Sequence, residues 1–234
     1  MTSILLTGAS RGIGAAARAV LAAAGADVIG HSVKGGDGLL AADLADPRAA
    51  EALWAAALAR AGGRIDVLVN NAGVFEGVDI DDSGEAFAAT WARSTAINLQ
   101  APADLCRLAV RHFRAQGGGR IVNVASRAGH RGDSPQHWHY AAAKAGLIAM
   151  TKTIARAYAR DGVLAFAVAP GFTMTGMAED YLASRGGDTL LADIPLGKVA
   201  DAAEVAETIR WLALDAPPSL TGATLDINGA SYVR

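Results

Sequence analysis

Short runs of apolar residues alternate with Ala- and Leu-rich stretches of helical length along the whole chain. Short apolar runs bounded by Gly, Asp or Asn are typical of strands that are buried on both faces. The predicted strands are Ile4–Thr7, Asp27–Gly30, Leu39–Ala41, Val67–Asn70, Arg120–Val124, Leu164–Val168 and Thr224–Ile227. The predicted helices are Gly12–Ala24, Pro47–Ala61, Leu99–Gln116, Trp138–Asp161 and Ala202–Leu214. This alternation predicts an α/β fold, a doubly wound parallel sheet of about seven strands with helices on both faces.

The composition of the chain supports a single domain over residues 1–234. Apolar residues make up 52% of the 234 positions and charged residues 19%, which is ample for a buried core. No linker, repeat or change in composition divides the chain. The net charge of −2 gives no general attraction to nucleic acid or to an acidic membrane, so neither is expected as a partner.

The single cysteine and the first six residues indicate the cellular compartment of the protein. Cys106 has no partner for an intrachain disulfide or for a cysteine-based zinc site. The residues from Met1 to Leu6 show neither a basic start nor an apolar stretch of signal-peptide length. We therefore expect a cytoplasmic protein without a cysteine-bound metal.

Three local patterns predict details of the connections. Asp46 followed by Pro47 predicts a helix capped by the aspartate, with the proline in its first turn. Asp201 with Glu204 resembles a capping box. The Ser32–Leu39 link is too short for a crossover helix, so a short loop is expected to join the second and third strands.

A glycine-rich stretch, Thr7–Gly14, follows the first predicted strand and opens the first predicted helix. Its G-x-x-x-G-x-G spacing permits a sharp turn, and the free N–H groups at the helix start attract a pyrophosphate. The alternative is a tight turn between strand and helix with no ligand. The pattern predicts a Rossmann-like dinucleotide-binding domain, with candidate cofactor contacts at Gly8, Ser10, Arg11, Gly12, Ile13 and Gly14.

Two further strand ends carry candidate cofactor contacts. The carboxylate of Asp43, beside Leu44, could accept a hydrogen bond from an adenine amino group, and a helix-capping aspartate is the alternative. Asn70, Ala72 and Gly73 follow the fourth strand, where small residues let a cofactor lie over the carboxyl edge of the sheet. The alternative there is an ordinary Asn-Gly turn.

Tyr140 and Lys144 lie four residues apart on a predicted helix, so both side chains project from one face. An ammonium beside the phenol is expected to lower the pKa of Tyr140 from about 10, which makes it a general acid and base near neutrality. Ser126, just after the fifth strand, could give a hydroxyl to the same substrate oxygen. A solvated helix face and a turn serine are the alternatives for these residues.

Six motifs occur in the order and spacing of the short-chain dehydrogenase/reductases, and the resemblance runs from Ile4 to Gly229. They are Thr7–Gly14, Asn70–Gly73, Asn98, Ser126, Tyr140–Lys144 and Pro170-Gly171. The sequence most resembles the 3-oxoacyl-(acyl-carrier-protein) reductase-like branch. The resemblance implies an oxidoreductase that transfers a hydride between a nicotinamide cofactor and a small carbonyl or secondary alcohol substrate.

The resemblance also implies a role for each catalytic candidate. Tyr140 transfers the proton, and Ser126 binds and orients the substrate oxygen. Lys144 holds the nicotinamide ribose and lowers the pKa of Tyr140, while Asn98 fixes a water that links Lys144 to solvent. Without the family, Asn98 reads as a polar residue at the start of a helix.

The end of the sixth strand completes the implied cofactor site. By resemblance, Pro170 and Gly171 lie beneath the nicotinamide. Thr175 matches the threonine that holds cofactor phosphate or carboxamide groups, and Thr173 is a competing candidate. The segment Gly176–Asp193 is expected to cap the substrate.

The sequence departs from the family between Ser126 and Tyr140, an interval one residue longer than is usual in that branch. Three of the five histidines, His130, His137 and His139, lie in this loop. We expect a polar wall that places His137 or His139 near the substrate oxygen. A zinc cluster is the alternative, although the family's chemistry needs no metal. Phe166, where the family commonly has Asn, predicts altered packing under the cofactor.

The end of the second strand bears on the choice of cofactor. After Gly30 the chain reads His31–Lys34, with no carboxylate before Asp37, and Arg11 lies in the glycine turn. A carboxylate there would repel a 2′-phosphate, so NADP(H) is favoured over NAD(H). The short loop that contains Asp37 leaves NAD(H) open.

Three functions remain open from the sequence. The first is an NADP(H)-dependent reductase or dehydrogenase for a small, fairly polar carbonyl or alcohol. The others are an NAD-linked dehydrogenase of a sugar or cyclic diol and a catalytically silent, nucleotide-sensing family member. Arg160 followed by Asp161 offers no basic patch for an acidic carrier protein. By resemblance, the helices at Leu99–Gln116 and Trp138–Asp161 pair in a homotetramer or homodimer.

Overall fold

The computed structural model describes residues 1–174 and 191–234. The strands are β1 (Ser3–Leu6), β2 (Asp27–Ser32), β3 (Leu40–Ala41), β4 (Val67–Asn70), β5 (Gly119–Val124), β6 (Val163–Pro170), β7 (Thr173–Met174), β8 (Ala200–Asp201) and β9 (Thr224–Ile227). The helices are α1 (Gly12–Ala23), α2 (Ala49–Arg60), α3 (Gly84–Thr95), α4 (Ala101–Gln116), α5 (Ala128–Arg131), α6 (Trp138–Tyr158) and α7 (Ala202–Leu214). A π-helical turn at Ala96–Gln100 joins α3 to α4, and 3₁₀ turns lie at Ala159–Asp161 and Pro218–Leu220.

Seven parallel strands form the main sheet in the order β3-β2-β1-β4-β5-β6-β9. The chain runs outward from β1 to one edge and then returns to build the other edge from β4 onward. This reversal beside β1 is the position at which open α/β sheets bind ligands, outside the carboxyl ends of the strands. The sequence prediction of a doubly wound, Rossmann-like parallel sheet is therefore confirmed.

The sheet is covered on both faces, and successive residues of one strand supply both cores. In β1, Leu5 packs in one cluster with Leu105 and Phe113 of α4. Its neighbour Leu6 faces the opposite cluster, which contains Ile209 of α7. Burial of each such side chain stabilises the fold by about 1.5–3 kcal/mol. Residues facing both ways must be apolar, which explains the uninterrupted apolar runs of the sequence.

Phe166 lies in the same core as Leu6. Its side chain is fully buried, and in the sheet it pairs with Val122 of β5. The aromatic ring is therefore core packing on the α7 side of the sheet. No helix in the described parts of the chain is long and apolar enough to cross a membrane.

Two predicted helix caps do not form as expected. Helix α2 begins at Ala49, so Pro47 lies in the preceding turn, where Asp46 Oδ1 accepts the Arg48 N–H over 2.8 Å. The aspartate thus stabilises a turn outside the helix. Asp201 precedes α7 but makes no side-chain cap bond. Glu204 forms an ion pair with Lys198 over 3.2 Å, so no capping box forms.

The link between β2 and β3 is the expected short loop. Four successive residues, Gly35, Gly36, Asp37 and Gly38, have φ between 48° and 83°. Three glycines adopt this left-handed backbone without steric cost, and the loop can therefore reverse within a few residues. Arg18 Nη2 donates to the Asp37 carbonyl over 3.0 Å and ties the loop to α1.

Helix α3 and the π-helical turn after it were not predicted. The α3 sequence has two large apolar residues, Phe87 and Trp91, and lacks a continuous apolar stripe, but Ser83 caps it by accepting the Ala86 N–H over 3.2 Å. In the sequence, the feature that could have indicated the start of this helix was the capping residue Ser83. The π-helical turn places Asn98 on the inner side of the helix pair, where it is fully buried.

Candidate active site

The glycine turn opens helix α1 at the carboxyl edge of the sheet. Gly8 has φ 67°, and a Cβ added at Gly14 would lie 1.9 Å from the Gly8 carbonyl oxygen. Only glycine fits at Gly14, because the clash would be with main chain that cannot move aside. Ser10 and Arg11 are exposed beside Gly12, the first residue of the helix. The turn thus presents a free helix N-terminus of the kind that binds phosphate.

Thr7 and Asn71 hold the glycine turn against the end of β4. Thr7 Oγ1 accepts the N–H groups of Asn71 and Ala72, each over 3.0 Å. Asn71 Nδ2 donates to the carbonyls of Thr7 and Gly8 over 3.0 and 3.1 Å. A Cβ at Gly8 would lie 2.8 Å from Ala72 Cα. The two predicted cofactor segments are therefore in direct contact, and Asn71 is a positioning residue that the sequence candidates omitted.

The side chains of the candidate contacts Asn70, Asp43 and Leu44 make contacts within the protein. Asn70 is buried and donates to Asn123 Oδ1 over 2.9 Å, inside the sheet. Asp43 is exposed and its Oδ1 accepts the Ala45 N–H over 3.0 Å, while Leu44 belongs to the core. The Asp43 carboxylate thus stabilises a turn and caps no helix, since α2 begins at Ala49.

Ser126, Tyr140 and Lys144 come together at the ends of β5 and α6. A hydrogen bond joins the side chains of Ser126 and Tyr140. Lys144 Nζ donates to the Val124 carbonyl over 2.8 Å and lies 5.6 Å from the centroid of the Tyr140 ring. The four-residue spacing on α6 therefore does place phenol and ammonium on one face, and the strand end brings the serine to them.

Burial changes both pKa values in this site. Burial raises the pKa of Tyr140 to about 12; the hydrogen bond from Ser126 opposes this and Asp133 adds to it. Burial lowers the pKa of Lys144 to about 8. The expected lowering of the Tyr140 pKa by Lys144 is therefore not found in the protein alone. Lys144 is buried and Tyr140 is half-buried, and the loss of water around each group disfavours its charged form.

Asn98 lies against Gly73 and Val74, close to the lysine. Its Nδ2 donates to the Val74 carbonyl over 3.0 Å and its Oδ1 accepts the Val74 N–H over 3.2 Å. A Cβ added at Gly73 would lie 2.8 Å from Asn98 Oδ1 and 3.6 Å from Lys144 Nζ. The absent side chain of Gly73 thus leaves a small space shared by the two polar groups.

The three loop histidines point in different directions. His130 stacks on Tyr232 at 5.5 Å between centroids, and His137 stacks on Phe75 at 3.7 Å. His139 is 1% exposed, with Nδ1 2.9 Å from Ser94 Oγ. Within residues 1–174 and 191–234, no group of three or more His, Cys, Asp or Glu side chains is arranged to hold a metal ion.

The structure corrects the expected position of His139. Its ring turns inward to Ser94 because α6 begins at Trp138, and the next helical position faces α3. His137 lies outside the helix and remains the candidate for the substrate wall.

Phe75 is a further candidate that the sequence analysis missed. Its ring stacks on His137, meets the Tyr140 ring edge-on at 4.9 Å, and is 39% exposed. A large aromatic side chain that stays accessible next to the reactive phenol is suited to contact a substrate. The signal was its place two residues after Gly73, directly beyond a small-residue strand end.

The end of β6 brings the last candidates to the same edge. Gly171 donates its N–H to the Ile227 carbonyl over 2.9 Å, and a Cβ added at Gly171 would lie 2.9 Å from Asn228 Cβ. Pro170 accepts the Arg127 N–H over 2.9 Å, which links the strand to the Ser126 turn. Thr173 Oγ1 donates to the Gly171 carbonyl over 3.2 Å. Thr175 and residues 176–190 of the expected substrate cap lie outside the described residues.

Comparisons with known proteins agree with this geometry. A family model described as enoyl-(acyl carrier protein) reductase matches residues 8–230. The 3-oxoacyl-(acyl-carrier-protein) reductase of Vibrio cholerae is 36% identical, over 98% of this chain and 96% of the relative. The cis-4-hydroxycyclohexanecarboxylate dehydrogenase of Sinomonas cyclohexanicum is 37% identical, over 96% and 94%. A proposed 2-deoxy-D-gluconate 3-dehydrogenase of Agrobacterium tumefaciens, solved with bound NADP, superposes with a TM-score of 0.89 at 29% identity, over 100% and 97%.

The chain belongs to the short-chain dehydrogenase/reductase family. It is accordingly an NAD(P)-dependent oxidoreductase with a Rossmann fold. The N-terminus of α1, which no side chain caps, lies at the glycine turn and fits the diphosphate of such a cofactor.

Proposed function

We propose that this protein transfers a hydride between NADP(H) and a small carbonyl or secondary alcohol, with Tyr140 as the proton donor and acceptor. One observation carries the proposal. The hydrogen-bonded Ser126–Tyr140 pair lies with Lys144 at the sheet edge that also holds the glycine turn. A purely nucleotide-sensing protein has no use for such a buried phenol and ammonium, which argues against the silent alternative.

Each side chain has a physical task in this proposal. Ser126 donates a hydrogen bond to the substrate oxygen and Tyr140 exchanges a proton with it. The Lys144 ammonium favours the tyrosinate form, although burial alone raises the pKa of Tyr140 to about 12. The nicotinamide, when bound, supplies or accepts the hydride. The residues proposed to hold the cofactor are Gly8, Ser10, Arg11, Gly12, Ile13, Gly14, Asn70, Ala72, Gly73, Tyr140, Lys144, Pro170, Gly171, Thr173 and Thr175.

The preference for NADP(H) over NAD(H) is part of the proposal. At the end of β2, His31 is buried and hydrogen-bonded, and no carboxylate precedes Asp37 to repel a 2′-phosphate. Arg11 is exposed in the adjacent glycine turn and supplies a positive charge. The bound NADP of the Agrobacterium protein supports the same choice.

The substrate is proposed to be small, with an apolar part that contacts Phe75 and a polar part that contacts His137. An acyl-carrier-protein substrate is not favoured, because Asp161 forms an ion pair with Arg114 over 2.8 Å and neutralises this surface. A dehydrogenase of a cyclic alcohol or sugar is the second candidate, and the names of the Sinomonas and Agrobacterium proteins favour it.

A cytoplasmic location and a homotetramer or homodimer belong to the proposal as well.

Cofactor titration followed by turnover tests this function. We expect NADPH to raise the thermal midpoint more than NADH at equal concentration, and its absorbance to decay with at least one member of a panel of small cyclic and acyclic carbonyls. Tyr140→Phe is expected to lower turnover by about 10²–10⁴-fold while the NADPH dissociation constant stays the same. Cofactor binding with no turnover across the panel would instead support the nucleotide-sensing alternative.

A further inference from the structure

Three buried polar side chains form a line of hydrogen bonds that ends on Asn98. His139 Nδ1 lies 2.9 Å from Ser94 Oγ, and Asn98 Nδ2 donates to the same oxygen over 3.1 Å. His139 is 1% exposed, and Ser94 and Asn98 are 0% exposed. Ser94 belongs to α3 and His139 directly precedes Tyr140 in α6. The line therefore connects the helix of the reactive phenol to the π-helical turn.

The donors in this line are set by Asn98. The two hydrogens of its Nδ2 go to the Val74 carbonyl and to Ser94 Oγ. Ser94 Oγ accepts from Asn98, and among the described residues the one acceptor found for its own hydrogen is His139 Nδ1. His139 is thus the neutral tautomer with its proton on Nε2. Burial lowers the pKa of His139, opposed by Glu76, which agrees with a neutral ring.

The ring of His139 is also held by packing. Trp91 of α3 meets it edge-on, 6.2 Å between centroids. The Nε2 atom is buried and has no hydrogen-bond partner among the described residues. A buried ring fixed in this way stabilises a single orientation of the Ser94 hydroxyl and, through it, of the Asn98 amide.

The orientation of Asn98 matters because the amide holds the main chain beside Lys144. Both polar atoms of Asn98 bond to Val74, and Oδ1 also borders the space at Gly73 that Lys144 Nζ shares. A rotated amide would leave the Val74 N–H and carbonyl unpaired and would move Gly73 against the lysine.

We propose that His139 and Ser94 are positioning residues, which fix the Asn98 amide and thereby the Gly73–Val74 main chain next to Lys144. Neither side chain touches substrate or cofactor in this proposal. The kinetic consequence rests on the proposed function, whereas the hydrogen-bonded line itself can be tested on protein without substrate.

The hydrogen-bonded line is tested first by NMR. In protein labelled with ¹⁵N only at asparagine, of which the chain has five, each asparagine side-chain amide gives one pair of N–H signals. The pair of N–H signals that is missing in Asn98→Asp belongs to Asn98. We expect Ser94→Ala and His139→Leu to shift this pair and leave Asn228 unchanged. Thr95→Val is the control, because among the described residues the Thr95 hydroxyl bonds only to the Trp91 and Ala92 carbonyls of its own helix. An Asn98 pair unchanged in both variants would overturn the proposal.

Two further variants at position 139 test the same contact if His139→Leu fails to fold. His139→Asn places an amide oxygen where Nδ1 accepts from Ser94, whereas His139→Gln places its amide near Nε2. We expect the asparagine variant to retain the wild-type Asn98 signals and the glutamine variant to lose them. Equal signals in the two variants would show that the Nδ1 contact is not the one that matters.

The kinetic arm separates positioning from a general loss of stability. We expect kcat to fall about tenfold in Ser94→Ala and His139→Leu, because a small displacement at the reacting groups is costly in rate. The KM for the carbonyl and the NADPH dissociation constant should stay within about twofold, and His139→Asn should recover most of kcat. A lower thermal midpoint with unchanged kcat would overturn the positioning role. A wild-type protein that turns over no carbonyl refutes the proposed function. In that case the amide signals alone show whether Ser94 and His139 fix the Asn98 amide.

Discussion

The main-chain N–H of Gly8 donates to Nδ1 of His31 over 3.3 Å, so a buried imidazole helps to hold the glycine turn in place. The other ring nitrogen, Nε2, lies 2.9 Å from the Ala42 carbonyl. One ring thus joins the glycine turn, β2 and the residue after β3. Since Nδ1 accepts, the ring is neutral and its proton is on Nε2.

This geometry predicts a loss of stability on mild acidification. Burial lowers the pKa of His31, and burial likewise lowers the pKa of the other four histidines. Between these lowered values and about 6.5, the unfolded chain binds more protons than the folded chain, so the free energy of unfolding falls as pH decreases. The stabilisation is fully present above about pH 6.5. Thermal midpoints measured from pH 7.5 to 5.5 check this.

His31→Asn separates the contribution of His31 from that of the other histidines. The amide oxygen can still accept the Gly8 N–H but does not titrate, so the midpoint should change less steeply with pH than in the wild type. NADPH binding should also weaken less on acidification. A slope as steep as that of the wild type would mean that the pKa of His31 is the same in the folded and unfolded states.

Cys106 is predicted to be inert in the folded protein. Burial raises the pKa of its thiol to about 12, and the side chain is 2% exposed with Asn70 Nδ2 3.3 Å from the sulfur. Because the thiolate is the reactive form, iodoacetamide should not modify the native protein at pH 8. Complete modification in denaturant provides the positive control. Rapid labelling of the native state would show that α4 opens locally.

The sequence predicted the parts of the fold that follow from periodicity and the parts of the site that follow from spacing. The strands β4 and β9 and the helix α7 have the predicted bounds, because each is a short apolar or amphipathic segment with clear ends. Tyr140 and Lys144 share a face because four residues make about one helical turn.

Other features depend on contacts between distant segments, which a single sequence does not display. Phe75 gains its place only when the β4 loop meets the start of α6 at His137. The inward position of His139 requires Ser94, from a helix that was itself not predicted. The pKa of Tyr140 was mispredicted because spacing shows the neighbouring charge but not the burial of both groups.

Phe75→Ala is expected to change substrate binding more than chemistry. The Phe75 ring contacts both His137 and the edge of Tyr140, and removing it takes apolar area from the wall of the site. If the proposed substrate contact is made, the KM for an apolar carbonyl should rise about tenfold with kcat within about threefold, since about 1–2 kcal/mol of apolar contact is lost. Ile80→Ala, at a 64% exposed position in the same loop, is the matched control. An unchanged KM would exclude Phe75 from the substrate site.

Gly14→Ala is expected to abolish cofactor binding. The new methyl group would lie 1.9 Å from the Gly8 carbonyl oxygen and 2.5 Å from Asn71 Nδ2, so the turn and the β4 end would have to separate. Gly84→Ala is the matched control, because it also lies in the first turn of a helix but has no atom within 4 Å of its added Cβ. The control should bind NADPH normally and be about 0.5–1 kcal/mol more stable. Normal binding by Gly14→Ala would contradict the assigned role of the turn.

Lys144→Met is predicted to inactivate the protein and yet stabilise it at pH 7. The pKa of Lys144, lowered to about 8 by burial, means that below pH 8 the folded state holds a charge at a cost the unfolded state does not bear. Between about pH 8 and 10.5 the unfolded chain binds more protons, so this cost declines as pH rises. Methionine fills similar volume without charge. It should raise the free energy of unfolding by up to about 2 kcal/mol at pH 7, after allowing for the lost hydrogen bond to Val124.

Denaturant unfolding at pH 7 and pH 9.5, together with turnover, checks this prediction. The gain from Lys144→Met should be larger at pH 7 than at pH 9.5, because the wild-type ammonium is partly neutral at the higher pH. Lys152→Met, at an exposed position on the same helix, should change stability by less than about 0.5 kcal/mol and leave turnover intact. If Lys144→Met is instead less stable than the wild type, the hydrogen bond to Val124 outweighs the cost of burying the ammonium. The lysine would then be a structural element of the site as well as a functional one.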